Sequence, residues 1–191
     1  MQTKRGAGKN YLSAFSDAGR TSRIYWLVSL LAVLLMMALI YWFSAQNADT
    51  SSGLSGGICM KLVRFADRIF GLGMDRESIR HFAELIETPL RKCSHFLEYL
   101  LLGMAVETHI SIAETIFSAG REPGEDSGRV RRIIFFSTLF CMLYACSDEF
   151  HQIYVPGRAC RAADVLIDTA GALTGAVIAN RIKTRIKTYH R

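Results

Sequence analysis

Residues 24–43 read Ile-Tyr-Trp-Leu-Val-Ser-Leu-Leu-Ala-Val-Leu-Leu-Met-Met-Ala-Leu-Ile-Tyr-Trp-Phe, with no charge among them. A helix rises about 1.5 Å per residue, so this run is long enough to cross the roughly 30 Å hydrocarbon core of a bilayer. Aromatic pairs close both ends, Tyr25-Trp26 and Tyr41-Trp42, where amphipathic rings anchor at the membrane interface. A signal peptide is the competing reading. The run is too long for an h-region and no convincing small-residue cleavage site follows it, so it reads as a retained first span.

The rest of the chain fits that beginning. It has 191 residues, 50% hydrophobic and 21% charged, with a mean hydropathy of +0.19, which suits a small membrane protein with polar loops better than a soluble globule. A net charge of +6 would suit nucleic acid, but the basic residues flank apolar runs and form no aromatic-interleaved patch. Membrane topology accounts for them, and no nucleic-acid partner is expected. The cysteines Cys59, Cys93, Cys141, Cys146 and Cys160 make no CxxC and no zinc spacing. Cys141 and Cys146 read as packing residues within an apolar run. Cys59, Cys93 and Cys160 fall on one side of the membrane, where a disulfide among them stays open.

Working outward, residues 1–23 form a basic tail. Residues 24–180 form the membrane domain, with spans at about 24–43, 92–110, 133–150 and 162–180, and residues 181–191 form a second basic tail. Between spans one and two, Ile58, Leu62, Phe65 and Ile69 recur at helical spacing while Lys61, Arg64 and Arg68 fall opposite. That pattern predicts an amphipathic helix lying in the headgroup region. After Gly71-Leu72-Gly73, Asp75 caps a second short helix with Ile79, Phe82, Leu85 and Ile86 on one face. The competing reading of both is a small cap packed on the spans. Pro89 then opens the next helix. The fold expected is thus an all-α membrane protein with four transmembrane helices plus two short interfacial amphipathic helices between spans one and two. Gly171 and Gly175 give span four a small-residue face for close approach of another helix. Basic residues concentrate in the N-terminal tail, at Arg129 to Arg132 and in the C-terminal tail, which places both termini in the cytoplasm.

That topology brings polar residues from four separate places to one depth. The end of span one supplies Ser44 and Gln46, and the start of span two supplies Arg91, Lys92, His95 and Glu98. Asp148, Glu149, His151 and Gln152 end span three, and Arg158, Asp164 and Asp168 open span four. Ionisable groups at such positions are functional candidates by default, because each is costly unless partnered. Three readings fit. In the first the charges only pair with one another, Arg158 and Lys92 with Asp164, Glu98 or Glu149. In the second they form an acid/base or metal site. His95, Glu98, Glu149 and His151 would then offer ligands for a divalent ion, the one cofactor the residues suggest. Alternatively a histidine acts as general base with Glu98 or Glu149 as acid. In the third, Arg91, Lys92 and Arg158 hold a phosphate or carboxylate without chemistry, while helix grooves accept a lipid chain. A transporter fits less well, since the charges gather at one face instead of the midplane.

Four motifs then carry a resemblance. They are Tyr41-Trp42-Phe43-Ser44-Ala45-Gln46, the stretch Arg91-Lys92-Cys93-Ser94-His95-Phe96-Leu97-Glu98-Tyr99, the stretch Ser147-Asp148-Glu149-Phe150-His151-Gln152-Ile153-Tyr154-Val155-Pro156-Gly157-Arg158, and Asp164-Val165-Leu166-Ile167-Asp168-Thr169-Ala170-Gly171. In order and spacing they resemble the motifs of VanZ-like membrane proteins, from about residue 39 to 179. The resemblance implies a multi-pass protein of the bacterial cytoplasmic membrane with a role in the cell envelope, and, by the family's namesake, in teicoplanin resistance. Cys93-Ser94 and Ala159-Cys160-Arg161 vary from the motifs, and the loop from Gly120 to Arg132 has no counterpart in them. The expectation is an outer-face pocket that hydrolyses or modifies a phosphate-containing, polyprenyl-linked wall intermediate. His95, Glu98, Asp148, Glu149, His151 and Asp164 would be catalytic. Ser44, Gln46, Arg91, Lys92, Gln152, Arg158 and Asp168 would bind substrate. Non-catalytic binding or shielding of a wall precursor or glycopeptide is the alternative, and a structural ion-pair cluster the second alternative. The number of carboxylates, which pure anion binding would avoid, tips the balance towards an enzyme.

Overall fold

The computed structural model describes residues 19–117 and 127–189, with side chains left out at 48–51 and 187–189. The described residues form five helices: α1 (Arg20–Ser44), α2 (Ala48–Phe70), α3 (Arg76–Phe117), α4 (Ser127–Gln152) and α5 (Ala162–Tyr189). Four of them, α1, α3, α4 and α5, are long and apolar enough to cross a membrane. Most of residues 1–23 and of the 120–132 loop lie outside the described residues, and α5 continues through the basic segment 181–189.

The bundle core draws on all four spans: Val33 and Ile40 from α1, Tyr99, Leu102 and Val106 from α3, Cys141 and Ala145 from α4, Ala172 from α5. Outside it, Leu31, Leu34, Leu35 and Leu39 stay about half exposed. Such an apolar outer surface would be untenable in water and suits lipid. α3 and α5 run parallel and pack backbone to backbone. A methyl group on Gly171 would strike the Phe96 carbonyl, one on Gly175 the Leu100 carbonyl, and one on Gly103 the Ala172 carbonyl. The Gly171/Gly175 face therefore meets α3, and Gly103 is its unforeseen reciprocal.

Two expectations change. The second short helix is not a separate element, and Pro89 does not open a helix but lies inside α3. Proline removes one backbone bond and costs about 3 kcal/mol in a helix interior. The row Phe82, Ile86 and Leu90 crosses that point with packing on both sides, lining a groove before it and a cavity after it. α3 is thus about 63 Å long, twice the hydrocarbon thickness, so its first turns must reach beyond the span proper. Its start forms as expected, with Asp75 Oδ1 accepting the Ser78 N–H at 2.9 Å. Gly71 and Gly73, both at positive φ, make the break before it. All five cysteines are free; Cys59 and Cys141 are buried, and Cys146 is exposed on the bundle's outer surface instead of packed.

Candidate functional site

The loop between α4 and α5 is built around a tight turn. Pro156 and Gly157 occupy its centre, Gly157 has φ 76°, and the Arg158 N–H closes on the Val155 carbonyl at 3.1 Å. That is type II geometry, in which proline presets the first central residue and glycine accepts the positive φ of the second. The turn delivers Arg158 to the end of α1, where its guanidinium donates to the carbonyls of Gln46 (2.8 Å) and Phe43 (3.1 Å). A cation there satisfies open carbonyls and complements the helix dipole. Glu149, 2% exposed, anchors the other side of the loop by accepting the Arg161 N–H at 2.6 Å.

Two cavities lie beneath this loop and share Arg91, His95 and Arg158 as lining. The larger, about 230 Å³, is walled by Ser44, Gln46, Ser94, Glu98 and Asp148; the smaller, about 80 Å³, by Lys92, Gln152, Arg161 and Asp164. Cations dominate the rim. Lys92 stands 3.8 Å from Asp164 across the α3/α5 seam. Burial holds the Arg158 guanidinium below its ordinary pKa, and the nearby Arg91 charge adds to this against the opposing pull of Asp148, Glu149 and Glu98. Arginine remains charged regardless. Arg91 and Arg158 thus bring two positive charges to the lining of both cavities.

Deeper in, His95 turns Nδ1 towards Asp168, 3.7 Å away, and Asp168 is 1% exposed. Gln152 donates to Asp148 at 3.2 Å, and Ser44 approaches the same carboxylate. Several buried polar atoms here meet no protein hydrogen-bond partner: Ser44 Oγ, His95 Nδ1, Tyr99 OH, Asp148 Oδ1, Asp164 Oδ1 and Asp168 Oδ1. A network serving stability alone would satisfy such atoms, because each unmet buried group costs about 1–3 kcal/mol. Their concentration around one pair of cavities marks a place for a ligand's polar groups or for water.

Comparison with known families follows the same residues. A family model described as VanZ/LLP1 matches residues 29–183. The chain belongs to the VanZ-like family. No curated protein and no solved structure matches it.

In this VanZ-like chain the four polar motifs do converge at one end of the bundle, but not every expected residue faces the cavities. His151 turns towards α1, its Nε2 3.4 Å from the Tyr41 hydroxyl and its ring 4.9 Å from the Tyr41 ring. Glu149 is spent on the loop. Asp168 lies behind His95 instead of lining either cavity, so its position is that of a partner to the histidine. These placements also bear on the expected metal ligands. With Glu149 and His151 turned elsewhere, His95, Glu98, Glu149 and His151 do not form a ligand set. Among the described residues no three His, Cys, Asp or Glu side chains are arranged to hold a metal ion.

Other polar residues at this site and beyond it escaped the sequence reading. Tyr99 is fully buried, within electrostatic reach of Asp148 and Asp168; only its place one residue after Glu98 in the motif could have flagged it. At the opposite end of the bundle Glu107, 0% exposed, meets Lys183 Nζ at 2.5 Å, with Asn180 at 3.4 Å and Ser111 at 3.2 Å. There too His109 Nδ1 lies 2.9 Å from Ser29 Oγ, and Glu114 pairs with Arg129 and Arg132. Because these donors and acceptors meet one another, this second cluster reads as a tie between helices.

Proposed function

We propose that this VanZ-like protein hydrolyses a phosphate-bearing, polyprenyl-linked wall intermediate at the outer face of the bacterial cytoplasmic membrane, and thereby alters glycopeptide (teicoplanin) susceptibility. The observation that carries the reading is His95, which lines both cavities beside Arg91 and Arg158 with the Asp168 carboxylate behind its Nδ1. A histidine next to a cation cluster, with a buried carboxylate 3.7 Å behind it, is an arrangement suited to acid/base work on an anion. Arg91, Lys92 and Arg158 hold the phosphate and offset charge developing on its oxygens. His95 takes a proton from water as the water oxygen attacks phosphorus. The phosphorus–oxygen bond to the leaving group breaks with its electron pair going to that oxygen, and Glu98 supplies the proton that the leaving oxygen needs. Asp168 positions His95, while Glu149 and the Pro156-Gly157 turn hold Arg158 over the cavity.

Basic residues at Arg20, Arg23, Arg129, Arg131, Arg132, Arg181 and Arg185 gather at the end away from the cavities, which supports cytoplasmic termini and an outward-facing site. α2 leaves Ile58, Leu62, Phe65 and Ile69 exposed along one stripe, which supports a place in the headgroup region with that stripe turned into the acyl boundary. The domain division at 24–180 follows the same logic. One observation favours the non-catalytic alternative: His95 and Asp168 are further apart than a hydrogen bond allows.

The two readings separate in cells. Polyprenyl-linked wall intermediates are profiled in bacteria expressing the intact protein or His95→Gln at matched abundance, beside teicoplanin susceptibility. The hydrolase reading expects one lipid species to fall and its dephosphorylated product to rise, only with the intact chain. Equal profiles with susceptibility still changed by both proteins would favour binding or shielding.

A further inference from the structure

The two cavities beneath the α4–α5 loop differ in what each adds to the residues they share. Lys92 and Arg161 line only the smaller one, with Asp164 as its single carboxylate. Ser44, Gln46, Ser55, Ser94, Glu98 and Asp148 line only the larger one, which among the described residues has no cation of its own. Arg91, His95 and Arg158 belong to both, so the cavities adjoin along these three side chains.

The larger cavity also holds unmet hydrogen-bonding capacity. Asp148 and Ser44 are both buried, yet Asp148 Oδ1 and Ser44 Oγ have no hydrogen-bond partner within the protein. Gln152 donates only to the other oxygen of Asp148. A carboxylate oxygen accepts and does not donate, so the partner that Asp148 lacks is a donor. Phosphate is not that partner, because its ionised oxygens also only accept and two anions in contact repel. An ammonium group donates, but Arg91 and Arg158 in the same wall repel it. Hydroxyls donate and accept at one oxygen, which suits a wall that mixes the acceptor Asp148 with the donors Arg91 and Arg158. The volume of about 230 Å³ is many times the ~30 Å³ share of one water, so a single ordered water does not fill it. Ile40, Phe43 and Leu90 add apolar wall for the C–H faces of a ring.

We propose that the larger cavity is a sugar subsite, so that the ligand is a glycosyl phosphate whose phosphate lies in the smaller cavity and whose ring hydroxyls reach Asp148 and Ser44. Arg91, His95 and Arg158, common to both cavities, stand where phosphate and sugar join. The inference rests on the reading of Lys92, Arg91 and Arg158 as a phosphate site and adds the class of group that the phosphate carries.

Four probes separate the two parts: methyl phosphate, glucose 1-phosphate, its epimer galactose 1-phosphate and phosphoethanolamine, each titrated against the purified full chain in detergent micelles. Methyl phosphate carries the same anion as the sugar phosphates without a ring. At least one sugar phosphate is expected to bind about tenfold tighter than methyl phosphate, the worth of one hydrogen bond to a charged acceptor. Asp148→Ala is expected to lose most of that advantage while binding methyl phosphate no more weakly than the unaltered chain, since a nearby negative charge is gone. Ser94→Leu alters an exposed position in the wall of the larger cavity alone. It keeps the fold and is expected to bring sugar-phosphate affinity down to that of methyl phosphate. Equal affinity of the unaltered chain for methyl phosphate and both sugar phosphates overturns the sugar subsite and leaves the phosphate site standing, with water filling the larger cavity. Phosphoethanolamine binding as tightly as the sugar phosphates overturns the class of ligand. A sugar advantage that survives both substitutions overturns the assignment to this cavity. No binding of any of the four overturns the subsite together with the phosphate reading.

Discussion

Gly171→Ala is the smallest change that tests the packing on which the site depends. Its methyl group would fall on the main-chain carbonyl of Phe96, with the Leu100 nitrogen close by, and main chain cannot rotate aside as a side chain can. Restoring van der Waals separation requires α5 to retreat from α3 by on the order of 1 Å. Asp168 lies one turn before Gly171 and His95 adjoins Phe96, so the retreat widens the 3.7 Å His95–Asp168 pair. Overpacking of this kind costs about 1–3 kcal/mol, less up to about 1 kcal/mol that alanine returns in helix propensity. The net loss of about 1–2 kcal/mol should lower the melting temperature of the purified protein by a few degrees. A reacting group displaced by about 1 Å can lose on the order of 10²-fold in rate, so turnover of a lipid phosphate should fall far more than stability does. Gly53→Ala and Gly56→Ala are the matched controls, because a methyl group at either position of α2 meets nothing within 4 Å. Refutation would be Gly171→Ala melting no lower than those controls, or turning over substrate at the unaltered rate.

Three further outcomes follow from the same geometry. Glu149→Ala removes the acceptor of the Arg161 N–H and should loosen the α4–α5 loop at a cost of about 1–3 kcal/mol, read as weaker phosphate binding with protein abundance retained. Arg158→Lys keeps the charge but loses the planar fork that reaches both the Gln46 and Phe43 carbonyls. Phosphate affinity should fall about tenfold while its salt dependence persists, as a titration at two ionic strengths would reveal. Lys183→Met leaves Glu107 buried without its cation and should destabilise by about 3 kcal/mol, whereas Glu107→Gln combined with Lys183→Met should recover most of the loss in thermal unfolding.

The spans were legible because each is an apolar run of bilayer length, and the convergence of polar residues was legible because alternate spans must place their ends at a common depth. Ser44, Lys92, His95, Glu98, Asp148, Arg158 and Asp164 line the cavities for that reason. What failed to show in the sequence depends on rotation about helix axes and on partners far away along the chain. His151 lies only three residues from Asp148, yet it finds Tyr41 on α1 while Asp148 faces the cavity. Glu107 and Lys183 are 76 residues apart, and although alternating spans make α3 and α5 parallel, nothing local announces the register in which they pack. Gly103 stands alone in its helix, so only the backbone of α5 against it reveals why no side chain fits there. Pro89 misled because a proline's local cost says nothing about the packing on either side of it.

The most direct test of the account is phosphate release from a polyprenyl diphosphate by the purified protein, measured beside His95→Gln and Asp168→Asn at equal folded concentration. The account predicts release by the unaltered chain, its loss in His95→Gln, and a reduction of on the order of 10²-fold in Asp168→Asn. Release that persists undiminished in His95→Gln would contradict the central claim, because chemistry at these cavities would then proceed without the histidine that joins them.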